Sequence, residues 1–135
     1  MLQKILLYLG TFGVFLIIDF IWLTFIAKDL YKENIGHLMA ANPNLIAALL
    51  FYLLYIGGVL YLAVLPAIQA GDIKEAVFRG AVFGFLAYAT YDLTNLATLK
   101  DWPIKITIID LIWGTSLSTV VSVAGFYIAK ALKIG

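Results

Sequence analysis

The sequence predicts an all-α fold, a four-helix transmembrane bundle of antiparallel up-down topology that forms one transmembrane domain over residues 1–135. Three observations predict it. Apolar residues make up 64% of the chain and charged residues 13%, with a mean hydropathy of +1.02, against about 45–50% and about 25% in soluble domains. The apolar residues fall into four segments, Ile5 to Ala27, Leu45 to Ile68, Ala76 to Leu99 and Ile104 to Ala129. Each exceeds the roughly 20 residues that a helix needs to cross a hydrocarbon core of about 30 Å. The links between the last three are as short as QAGDIKE and KDWPIK, which permits only antiparallel neighbours.

The first segment is too long for a signal-peptide core, contains Asp19, and runs into FIAKDLYKE with no small-x-small cleavage site, so it reads as a retained span. The link from Lys28 to Asn44 is longer, contains NIGHLMAANPN, and has room for an interfacial turn of helix. Pro43 and Pro103 stand where helices begin, a position that tolerates their missing N–H, while Pro66 near the end of the second segment predicts a kink or a stop. Asp72 reads as the N-cap of the third helix, with Glu75 completing a capping-box pattern. Trp102 and the tyrosines near segment ends suit an interfacial aromatic belt, and Lys28, Lys100 and Lys105 suit snorkelling anchors. Lys4, Lys74, Arg79, Lys130 and Lys133 fall on the side of the termini, against Lys28, Lys32, Lys100 and Lys105 on the other. The positive-inside rule therefore leans, by one residue, toward a multi-pass protein of the cell membrane with cytoplasmic termini.

Composition also excludes functions. The basic residues are scattered and the net charge is +1, so no stripe exists to neutralise nucleic-acid phosphates. Without cysteine there are no disulfides, thiolate nucleophiles or thiolate metal sites. Membrane lipids are the expected partners, and neither a cofactor nor a metal is expected.

Three acids nevertheless lie inside apolar segments: Asp19, Asp92 and Asp110. Placing an ionised Asp near the middle of a span costs about 2.5–3.5 kcal/mol on insertion scales, so each demands a partner, a proton, water or a role. Counted from Lys28, Lys100 and Lys105, at about 1.5 Å per residue, all three fall in one slab about 5 Å thick on the side away from the termini. The octets IIDFIWLT (17–24) and IIDLIWGT (108–115) agree at six of eight positions. In each, Asp and the Trp three residues later share a helix face. Because those helices are antiparallel, Asp19 should lie level with Trp113 and Asp110 with Trp22. Either each indole N–H donates to the opposite carboxylate, or the two rings wall a shared cavity. The octets are compatible with an inverted duplication, although the second and third segments show no such match.

On the third helix Gly80, Gly84, Tyr88, Tyr91, Asp92 and Asn95 form one stripe, small at one end and polar at the other, with Thr94 beside it. Gly114, Ser118, Ser122 and Gly125 form a small-residue face on the fourth, with hydroxyls able to bond back to their own helix. Tyr52 and Tyr55 begin on the side of the acids and can complete a wall, whereas His37 reads as solvated. The candidate ligand- or proton-binding set is therefore Asp19, Asp92, Asp110, Asn95, Tyr88, Tyr91, Trp22, Trp113 and Thr94.

The stretches FYLLYIGGVLYLAVLPAI, AYATYDLTNLATLKDWP and DLIWG resemble an uncharacterised family of small bacterial four-span membrane proteins, a domain of unknown function. The resemblance covers nearly the whole chain and is most specific at TYDLTNLATL. It implies the four-helix membrane fold, in the bacterial inner membrane, and a signature including Asp92, Thr94, Asn95, Trp102, Pro103, Asp110 and Trp113. It implies no activity. The residues themselves point first to binding or transport of a small polar or cationic solute, proton-coupled through adjacent carboxylates and carried out by a homodimer. An intramembrane enzyme acting on a lipid or isoprenoid by Asp acid–base chemistry, with Mg²⁺ on carboxylates, is the second reading. A structural accessory subunit or sensor is the third.

Overall fold

The computed structural model describes all 135 residues, and it is helical throughout with no strand. Helix α1 spans Leu2–Ile21 and continues through a π turn, Trp22–Ile26. A separate helix α2, Lys28–Ile35, and a 3₁₀ turn, Gly36–Leu38, fill the first link, so the expected interfacial turn is a helix of its own. Helix α3, Leu45–Val59, leads through a second π turn, Leu60–Val64, into α4, Leu65–Ala70. Helices α5, Ile73–Thr98, and α6, Ile104–Ala131, complete the chain.

The local chemistry accounts for these bounds. Asn44 caps α3 by accepting from the Ala47 N–H at 3.0 Å, and Asp72 caps α5 by accepting from the Lys74 N–H at 2.9 Å. Glu75 does not close a capping box, because its carboxylate is taken by Arg79 Nε at 2.9 Å across one turn. Pro66 neither stops nor breaks its helix. Its missing N–H and its ring disturb the carbonyl one turn back, and the chain answers with the wider turn at Leu60–Val64 before resuming α-helix. Gly71 then ends α4 in the left-handed conformation at φ 66°, where a side chain would be strained.

Three helical stretches, Leu2–Ile26, Leu45–Ala70 and Ile104–Ala131, are long and apolar enough to cross a membrane. Helix α5 is as long, with 26 residues, but Lys74, Glu75 and Arg79 at one end and the Tyr, Thr, Asp and Asn residues at the other dilute its hydropathy. The outward faces of α1, α3 and α6 expose Ile17, Phe20, Leu54 and Ile112, as helices solvated by lipid do.

Helix α6 is the centre of the packing, touching α1, α3, α4 and α5. Against α5 the contact is backbone-close. A methyl built on Gly80 would meet Ser122, one on Gly84 would meet Ser118 and the Gly114 carbonyl, and one on Gly114 would strike the ring of Tyr88. Residue numbers rise on α5 as they fall on α6, so the pair run in opposite directions, and the small residues permit the approach. The serines do not bond back to their own helix as expected. Ser118 Oγ pairs with Tyr55 Oη at 2.6 Å, Ser122 Oγ is buried without a partner, and Thr115 and Thr119 make the back-bonds instead. Leu7, Phe15, Ile56, Val59, Leu117 and Val121 pack into a core that ties α1, α3 and α6 together.

Candidate functional site

At the end of the fold remote from both termini the helices part around a cavity of about 440 Å³. Asp19 comes to its wall from α1, Trp22 from the π turn, Tyr52 from α3, Tyr88 and Tyr91 from α5, and Asp110 and Trp113 from α6. The π turn begins at Trp22, where the extra residue per turn rotates the remainder of the segment away from its earlier face, a device found at ligand-bearing positions in helices. No basic side chain lines the cavity.

Of the two readings of the tryptophans, the structure shows the shared wall, and neither indole N–H makes a direct hydrogen bond to the opposite carboxylate. The Trp22 and Trp113 rings stack with centroids 4.2 Å apart and 9° between planes, and both line the cavity. Trp113 stands beside the Asp19 carboxyl. On the other diagonal the connection is indirect: Trp22 Nε1 donates to Tyr31 Oη at 3.3 Å, and Tyr31 donates to Asp110 Oδ1 at 2.5 Å.

Tyr31 is the residue that sequence reasoning missed. It sits on α2, whose charged side, Lys28, Asp29, Lys32 and Glu33, is exposed while Leu30, Tyr31, Asn34 and Ile35 turn inward, half-buried. That alternation was the available signal, since 31, 34 and 35 share a helix face. Burial, and then the hydrogen bond and charge of Asp110, push the Tyr31 phenol well above its usual range, against a smaller opposing effect of Trp22. The hydroxyl is therefore a donor at neutral pH.

The three carboxyls share the predicted end of the fold but not one point. Asp92 is fully buried, and both of its oxygens lack a donor. The polar group beside them is the Asp110 carboxyl. Two carboxylates only accept, so this contact becomes a hydrogen bond when one of the pair carries a proton. Asp19 stands apart, half-buried, near Tyr52, Tyr55 and Trp113. No group of three or more His, Asp or Glu side chains is disposed to hold a metal ion.

The remaining candidates divide. The Tyr88 ring lies on Gly114, within the field of both Asp19 and Asp110. Tyr91 packs edge-on to Trp102 at 5.7 Å, and Asn95, one turn from Tyr91, does not line the cavity. Thr94 is exposed and does not join the group. Trp102, read from the sequence as an anchor, is buried, donates from Nε1 to Thr107 Oγ1 at 3.0 Å and lines the cavity. His37 is exposed, as are Lys28, Lys100 and Lys105.

No curated protein and no solved structure matches the chain. One family model does, the one described as "Predicted membrane protein (DUF2177)", and it matches residues 4–127, a region that holds every residue of the cavity wall. The chain belongs to that family of membrane proteins of unknown function.

Proposed function

We propose that the chain is a single transmembrane domain whose four long helices cross the bilayer in antiparallel, up-down order. Its termini are then cytoplasmic, and the cavity opens toward the far side. The length of α5 supports a fourth crossing, as does the burial of Asp92, in its polar half, against α6 rather than lipid. In this reading the cavity binds and transports a small polar or cationic solute. The observation that carries it is a pocket that presents two carboxylates among stacked and tilted aromatic rings with no basic counter-charge. Ring faces and carboxylates both attract cations.

The Asp92–Asp110 contact supplies the coupling. A cation and a proton compete for adjacent carboxylates, so the arrival of one displaces the other. Four crossings enclose little volume, so the transporting unit is a homodimer. Purified protein in proteoliposomes should move tetramethylammonium or guanidinium against an imposed pH gradient, and Asp92→Asn should abolish that movement. Unchanged flux in Asp92→Asn removes the acid pair from the mechanism. Loss of stability alone, with no flux in the parent protein, leaves the acids a structural role and favours an accessory subunit.

A further inference from the structure

The acidic cavity is not closed on its bilayer side. A cleft of about 310 Å³ adjoins it, lined by Phe51, Ala87, Tyr88 and Tyr91, and three of these residues also line the cavity. The two spaces therefore share a wall of rings. Phe51 and Tyr91 are 50% and 55% exposed, which sets the outer edge of the cleft on the surface that meets lipid. Helix α5 packs on the π turn Leu60–Val64, and Phe83 fills the space over Gly58, whereas nearer the acidic end Phe51 of α3 and Ala87 of α5 line the cleft between them. One side of the site is thus carboxylate and indole, and the other is a hydrocarbon slot leading into the membrane.

A solute hydrophilic on all sides makes no use of that slot. We infer that the occupant is an amphiphilic ammonium ion, its head beside Asp19, Asp110 and the Trp22–Trp113 stack, its alkyl tail passing between Phe51 and Ala87 into the bilayer. The inference rests on the cation-binding reading above and narrows its ligand class. The positive head answers the two carboxylates, and the tail lies against Phe51 and Tyr88 before it reaches lipid. No basic residue lines the cavity or the cleft, so an anionic amphiphile has no counter-charge there. Entry is lateral, from the membrane, with the tail remaining in hydrocarbon throughout.

The test uses full-length protein in zwitterionic nanodiscs and two radiolabelled probes, butyltrimethylammonium and dodecyltrimethylammonium. Binding is measured by equilibrium dialysis, with empty nanodiscs subtracting what the bilayer itself takes up. Both probes should bind the parent protein and both should be lost in Asp19→Asn and Asp110→Asn. Ala87→Phe, which fills the slot, should weaken the dodecyl probe by about tenfold while leaving the butyl probe within about twofold. Ala87→Leu should fall between, and retained butyl binding reports a folded site in both variants. Equal weakening of the two probes, or unchanged dodecyl binding in Ala87→Phe, overturns the lateral slot while leaving the cation site standing. Absence of binding of either probe above empty nanodiscs overturns the cation site and the slot together.

Discussion

Replacing Tyr31 with Phe removes one oxygen and keeps the ring, so it isolates the contact that holds α2 against the bundle. That oxygen accepts from Trp22 Nε1 at 3.3 Å and donates to Asp110 Oδ1 at 2.5 Å. The first bond is long and weak. The second is short and made to a carboxylate, a class worth about 1.5–3 kcal/mol. Asp110 is only 6% exposed, so little bulk water reaches the freed oxygen, although the neighbouring cavity relieves part of the loss. The expected cost is about 2 kcal/mol, roughly a 30-fold fall in the folded-to-unfolded ratio. Equilibrium unfolding in mixed dodecylmaltoside–SDS micelles, followed by tryptophan fluorescence, reads it directly. A double-mutant cycle with Asp110→Leu should return a coupling of about 1.5 kcal/mol or more. A Tyr31→Phe protein within about 0.5 kcal/mol of the parent, together with no coupling, would refute the reasoning, since the bond would then add nothing beyond what water supplies.

Other outcomes follow from the same geometry. Because the Tyr31 phenol is held above its usual range, the native state keeps that proton more tightly than the unfolded chain does. Its contribution is complete below the unfolded value of about 10 and is lost as pH rises through the folded one, so Tyr31→Phe should flatten the fall in stability above about pH 10. Gly84→Ala places a methyl against the Gly114 carbonyl and Ser118 and should cost about 1–3 kcal/mol in the same unfolding assay. Gly57→Ala, which meets nothing within 4 Å, should instead stabilise the helix by about 0.5–1 kcal/mol. Asp72→Ala removes the cap of α5 and should cost about 1 kcal/mol, where no change would mean that the exposed end is satisfied by water.

Much of the fold was legible because helix formation and lipid solvation are read along the chain. Apolar length marked the helices at 2–26, 45–70 and 104–131, Asp72 marked the start of α5, and glycines at four-residue spacing marked the face that α5 turns to α6. Helix α5 was legible as a long helix but is less apolar than the other long helices, since Lys74, Glu75 and Arg79 at one end and Tyr, Thr, Asp and Asn residues at the other interrupt its apolar run. The hydroxyls were misassigned for another reason. Ser118 has a phenol opposite it, Tyr55, and a side chain takes the better partner across the interface over its own backbone. Trp102 looked like an anchor because its position at a segment end is one-dimensional information, while its burial depends on Tyr91 and Thr107 closing over it.

The sequence by itself determined the solvent of this protein, the three acids confined to one end, and the Asp–Trp pairs sharing a helix face, because each follows from hydrophobicity and a period of about 3.6 residues. Only the tertiary structure decided which acids touch. Asp92 lies beside Asp110 while Asp19 stands apart beside Trp113, because the azimuth of one helix against another is set by how Gly80, Gly84 and Gly114 let α5 and α6 close. The role of Tyr31 was likewise hidden. Its inward face was readable on α2, but its partner was not, because Asp110 lies 79 residues further along the chain and no local pattern encodes a contact at that separation.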